Sequence, residues 1–121
     1  MTAFRAIPLQ VHGALEVLAA PLLLVAPFVL GFTAAAGAIS FAVGVLLVGL
    51  ALSLNSEGDR GSLPLSAHAG FDYILAATLI LTGLLVGIAT QDQAATIFMV
   101  GFGSAHLALT TSTRFTRPHG A

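Results

Sequence analysis

Four apolar stretches dominate the 121-residue sequence, and each is close to the roughly 20 residues a helix needs to cross the hydrocarbon core of a bilayer. They run over residues 9–30, 35–54, 66–89 and 94–112, with short polar punctuation between them. The pattern therefore predicts an all-α, polytopic membrane protein with four transmembrane helices. Composition agrees, since 57% of residues are hydrophobic and 7% charged, where a soluble domain carries about a quarter charged residues. Arg5 followed by an apolar run also suits a signal peptide. That run is longer than the about 7–15 residues of a signal h-region and contains Glu16, so a permanent helix is the better reading.

All four basic residues are arginines, at 5, 60, 114 and 117. Four crossings put every one of them on the side of the two termini, while the opposite loops, 31–35 and 90–94, hold none. Arginine-rich short loops stay inside the cell, which places both termini in the cytoplasm. The segment 55–65, NSEGDRGSLPL, is rich in turn formers and divides the chain into two halves of one integral membrane domain, 9–54 and 66–112.

The halves look like copies. VHGALEVLAA puts His12 four residues before Glu16, and AHAGFDYILAA puts His68 four residues before Asp72, at one constant offset. Two crossings per copy preserve orientation, so the copies are expected as parallel two-helix repeats. Lipid tails are as apolar as leucine, and close backbone packing must hold such helices together. Gly83 with Gly87, Gly101 with Ala105, and the row Ala34, Ala38 and Ala42 offer the small-residue spacing for it, with enough surface left for a homo-oligomer. Pro21 is expected to kink the first helix.

Ala26-Pro27-Phe28-Val29-Leu30-Gly31-Phe32 resembles the signature of the SPW-repeat family of small bacterial integral membrane proteins, and HGALEVLAA and HAGFDYILAA resemble that family's helix openings. Ala26 and Phe28 stand where the family has Ser and Trp, and the second copy, Thr82 to Ile88, lacks the proline and the aromatic. The resemblance implies a two- or four-helix protein of the bacterial cytoplasmic membrane and brings no activity with it.

Chemistry is confined to a few residues. There is no cysteine, which rules out disulfides and thiolate metal sites. A net charge of −1 offers no surface for nucleic acid, leaving the lipid bilayer as the expected partner. No nucleophile elbow, phosphate-binding glycine loop or HExxH motif is present, so the expectation is not an enzyme, and no cofactor is implied. Glu16 and Asp72 fall about 10 Å along their helices from the cytoplasmic end, and His106, on a helix running the other way, reaches about the same depth. His12 and His68 lie one turn nearer the cytoplasm on the same faces as their acids.

With no Lys or Arg in any span, the two carboxylates need a proton, an imidazolium or a cation beside them. The helix dipole makes His106, near a C-terminus, the best-placed imidazolium. The first reading is a packing device in which His/carboxylate pairs hold the repeats in register. The alternative is a small transporter or channel-like protein handling protons or cations through His12, Glu16, His68, Asp72 and His106. A third reading makes His12, His68 and His106, with Glu16 and Asp72, ligands of a transition metal or a haem. Tyr73 reads as an interface anchor and His119 as part of a tail. Ser40, Thr78, Thr82, Ser104 and Thr110 are expected to bond within their own helices.

Overall fold

Each apolar stretch becomes one helix. The computed structural model describes residues 5–55 and 63–116, and its helices are α1 (Leu9–Leu30), α2 (Ala34–Asn55), α3 (Leu65–Thr90) and α4 (Gln93–Thr111). Their ends match the spans read from hydropathy to within one residue. Arg60, Arg117, His119 and most of the 55–65 connection lie outside the described residues.

The local reasons for these boundaries repeat in the two halves. Pro8 and Pro64 immediately precede α1 and α3, with φ of −65° and −57°, values that the pyrrolidine ring imposes and a helix start accepts. Their carbonyls accept the first helical hydrogen bonds, from His12 N–H at 3.1 Å and His68 N–H at 3.0 Å. Each proline thus places a histidine in the first turn. At the other ends Gly31 and Gln91 adopt the left-handed conformation, φ 68° and 57°, and their N–H groups close on the carbonyls of Pro27 and Gly87, which stops each helix. α1 continues as one helix through Pro21 and Pro27.

Burial is inverted relative to a protein in water. Leu18, Phe28 and Ile88 are 72%, 78% and 80% exposed, whereas His12, Glu16 and Asp72 are between 0% and 1% exposed. Such a surface is stable only against hydrocarbon, so four apolar helices of this length and this outward face make a multi-pass membrane protein. Inside, Ala20, Leu23, Leu47, Leu79 and Met99 form an apolar core.

The helices pack chiefly as two hairpins, α1 with α2 and α3 with α4. α2 joins α3 less extensively, and α1 meets α4 only sparsely. The hairpins share one packing device. Gly44 presses on α1, where a Cβ would come within 3.0 Å of Leu23 Cβ. Gly103 presses on α3, where a Cβ would come within 3.0 Å of Leu79 Cβ. Leu23 and Leu79 each follow the acid of their repeat by seven residues. The two hairpins therefore pack on corresponding leucines.

Gly83 and Gly87 do face α4, against Val100 and Thr96. The other small-residue rows turn outward: Gly101 meets nothing within 4 Å, and Ala105, Ala34, Ala38 and Ala42 are exposed. In lipid both faces of a helix are apolar, and spacing alone does not choose between them. Ser40 likewise departs from expectation. Its hydroxyl donates to the Leu23 carbonyl of α1 at 2.8 Å rather than within α2, and the Thr110 hydroxyl oxygen is buried with no partner.

Candidate functional site

All five ionisable residues singled out from sequence come together between α1, α3 and α4, and all are buried. Pro8 and Pro64 fix where the two histidines enter, and the i, i+4 spacing puts each acid one turn further along on the same face. The result is a closed ring in which nitrogen and carboxylate alternate. His12 Nε2 lies 3.0 Å from Asp72 Oδ2 and 3.1 Å from Glu16 Oε2, while His68 Nε2 lies 3.2 Å from Asp72 Oδ2 and 3.2 Å from Glu16 Oε1. His106 stands beside the ring, 3.2 Å from Asp72 Oδ1 and 3.8 Å from Glu16 Oε2.

Within the ring the pairs that satisfy hydrogen-bond geometry are the crossed ones, His12 with Asp72 and His68 with Glu16, and beside it His106 with Asp72. Each repeat thus reaches for the other's acid. The i, i+4 pair His12 and Glu16 is close in distance, but Oε2 is off the N–H direction and is left without a hydrogen-bond partner, as is His68 Nδ1.

Thr113 belongs to the site and was not visible in the sequence. Its hydroxyl donates to the Leu109 carbonyl at 2.6 Å, and it lies 2.8 Å from His12 Nδ1. A hydroxyl has one proton to give. With that proton on Leu109, Thr113 can only accept from His12, so Nδ1 carries the hydrogen. His12 Nε2, which faces the carboxylates, is then either a bare lone pair or the second N–H of an imidazolium.

The cluster is closed at its histidine end by the two chain ends. Ile7 N–H donates to the Ser112 carbonyl at 2.9 Å and Arg114 N–H to the Ile7 carbonyl at 3.0 Å, a short parallel bridge that locks Thr113 in place. Phe115 follows, its ring centre 5.1 Å from that of His12 and 6.2 Å from that of His68. Laterally, at the sparsely packed seam between α1 and α4, a crevice of about 230 Å³ lined by Leu15, Ala19, Phe102 and Leu109 has Glu16 and His106 in its wall. The repeat symmetry breaks here. His106 follows Gly103 by three residues, and the residue three beyond Gly44 is Leu47, fully buried and apolar.

At the far end of the bundle Asp92 joins the α1–α2 and α3–α4 connections. Oδ1 accepts from Ala95 N–H at 3.1 Å and caps α4, while Oδ2 accepts from Thr33 N–H at 2.7 Å, immediately before α2. Both bonds, that from Thr33 foremost, hold the Asp92 carboxyl below its ordinary value.

Fold and cluster together define the class: a small polytopic membrane protein of four helices with a buried His/carboxylate cluster. No protein-family model matches the chain, and no curated protein or solved structure matches it either. The resemblance to SPW-repeat proteins thus finds no support from family models, and the functional reading rests on the cluster itself.

Proposed function

We propose that the protein is a small, non-enzymatic transporter or channel-like protein that handles cations, the proton among them, at the cluster of His12, Glu16, His68, Asp72 and His106. The observation that carries this reading is the closed ring of two carboxylates and two imidazoles, fully buried in a chain whose helices contain no Lys or Arg. Two carboxylates at membrane depth require positive charge beside them.

A packing role explains the site less well. Register between two repeats needs one or two crossed hydrogen bonds, yet five ionisable groups converge. A device selected for packing alone would also leave few buried polar atoms unpaired, and Glu16 Oε2 and His68 Nδ1 are both unpaired. The crevice beside Glu16 and His106 and the Phe115 closure supply two places where access to the site could change.

In this reading the two repeats run parallel across the bacterial cytoplasmic membrane with both termini inside. Contacts at opposite ends support the parallel arrangement: His12 meets Asp72 at one end and Thr33 meets Asp92 at the other.

The test is reconstitution of the full chain in liposomes carrying a pH-sensitive or metal-sensitive dye. Wild-type protein should dissipate an imposed proton or cation gradient. Asp72→Asn should insert and keep its helicity while losing that flux. Absence of any flux from correctly inserted wild-type protein sinks the transport reading.

A further inference from the structure

We propose that His12, Glu16, His68 and Asp72 form a site for one divalent first-row transition-metal ion of the zinc or cobalt class, with Thr113 and His106 as positioning residues. This rests on the reading of the cluster as a cation site and names the cation.

Geometry is the first ground. One ligand atom from each of the four residues can be chosen so that all lie within 4.8 Å of one another. Ligands bound at about 2.0–2.2 Å sit roughly 2.8–3.6 Å from their neighbours, whether square-planar or tetrahedral. His12 Nε2 to Asp72 Oδ2 at 3.0 Å, Asp72 Oδ2 to His68 Nε2 at 3.2 Å and His68 Nε2 to Glu16 Oε1 at 3.2 Å fall in that interval, and Glu16 presents its second oxygen, Oε2, to His12 Nε2 at 3.1 Å. Each Nε2 is also nearly equidistant from two oxygens. An N–H points in one direction and serves one of them well, whereas a lone pair aimed between them suits an ion at the centre.

The second ground is the hydrogen on His12. Thr113 obliges Nδ1 to carry it, so that when a metal ion displaces any proton on Nε2, the lone pair facing the carboxylates is the one a metal ligand requires. Ligating histidines regularly have their other ring N–H held in this way. Asp72 is held too: Oδ2 is in the ring while Oδ1 accepts from His106 Nε2 at 3.2 Å. Glu16 Oε2, buried and without a hydrogen-bond donor, is an acceptor aimed into the ring. His68 has no such support on Nδ1, so His12 is the better-oriented imidazole.

Charge is the third. Two carboxylates and one divalent ion sum to zero, the cheapest state at membrane depth. A mixed nitrogen and oxygen donor set selects against Mg²⁺ and Ca²⁺, which prefer oxygen alone.

The experiment uses the untagged full chain in mild detergent, stripped with a chelator, desalted and titrated with Co²⁺, whose visible bands report inner-sphere ligands. Expected is one Co²⁺ per chain with a visible spectrum, displaced by Zn²⁺ and not by excess Mg²⁺. Thr113→Val should weaken binding about 10-fold, and the double variant H12Q/H68Q, folded by circular dichroism, should lose it. A folded wild-type protein that retains neither Co²⁺ nor Zn²⁺ overturns the proposal. So does a folded double variant that binds as well as wild type, or displacement by Mg²⁺. Proton flux in liposomes without metal binding would overturn the metal assignment and leave the cation-handling reading standing. One metal per chain with no flux of any cation would leave the site standing and remove transport.

Discussion

His12 bonds past its own helix. Its Nε2 meets Asp72 Oδ2 at 3.0 Å with hydrogen-bonding geometry, whereas the acid one turn along, Glu16, brings Oε2 to 3.1 Å without it. Contacts between helices therefore outrank contacts within them at this site, and the two repeats are joined by exchange of partners. A double-mutant cycle reads this directly. His12→Ala with Asp72→Ala should show a coupling between the membrane average of about 0.6 kcal/mol and the upper value of about 1.7 kcal/mol. His12→Ala with Glu16→Ala should show less. Unfolding in mixed micelles gives both numbers, and an intrahelical coupling equal to the crossed one contradicts the assignment.

Thr113 is the only described side chain hydrogen-bonded to His12 Nδ1. Thr113→Val keeps shape and removes the acceptor, leaving a buried N–H without a partner, a loss of about 1–3 kcal/mol. Thr113→Ser keeps the hydroxyl and should restore most of it. Thr111→Val is the control, because the Thr111 hydroxyl is exposed and bonds only to the carbonyl of Ala108. Melting of the three variants in one detergent ranks them. If valine and serine at position 113 behave alike, the hydroxyl does not orient the imidazole.

The helices were legible because spanning a bilayer sets a length that the apolar runs display; the roles of Pro8, Pro64, Gly31 and Asp92 at their ends are evident only in the fold. The constant offset between His12–Glu16 and His68–Asp72 pointed to four of the five residues that meet, and the depth of His106 along its helix added the fifth. Partner choice was not legible: an i, i+4 spacing points to a pair within one helix, and only side chains reaching from α1 across the bundle to α3 cross the pairs. Thr113 and Phe115 lie beyond the last turn of α4, in a stretch with no periodicity, and depend on Ile7 from the other end of the chain to be held over the cluster. Inward faces were hidden for a solvent reason. Hydrocarbon rewards leucine outside as much as inside, so Gly101 and Gly103 look equivalent in sequence although one faces lipid and the other α3.

Asp92 gives the end of the bundle opposite the cluster a pH dependence whose sign follows from its bonds. The Thr33 and Ala95 backbone donors favour the carboxylate, holding the folded group below its ordinary 3.8. On acidification the unfolded chain takes up this proton before the folded one does. The contribution is complete above the unfolded value and drains away as pH falls through the folded value. Stability should thus show no loss from this group between about pH 7 and 5 and a decline below about pH 4. Asp92→Asn should flatten that decline, because an amide has no charge to lose, and Asp92→Ala should lower the melting temperature at pH 7 by removing both acceptors. A decline below pH 4 that persists unchanged in Asp92→Asn assigns it to another group.

Gly103 and Gly101 test the packing from one helix. A methyl at Gly103 would come within 2.8 Å of Ile80 Cγ1, 2.9 Å of the Ala76 carbonyl oxygen and 3.0 Å of Leu79 Cβ. Of these only the isoleucine can swing aside; the carbonyl belongs to the backbone of α3, and relief requires the hairpin to open. At Gly44 the closest atom is the Leu24 Cδ2 tip at 2.8 Å, which can rotate, though Leu23 Cβ at 3.0 Å cannot. Alanine gains about 1 kcal/mol over glycine in helix propensity, against an overpacking cost of about 1–3 kcal/mol. Gly103→Ala should therefore destabilise most and Gly44→Ala less, while Gly101→Ala, with nothing within 4 Å, should be neutral or stabilising. Because α4 carries His106, opening at Gly103 should also lengthen the His106 to Asp72 contact three residues away. A Gly103→Ala protein as stable as Gly101→Ala would mean that α3 and α4 do not approach as closely as the Gly103 contacts require.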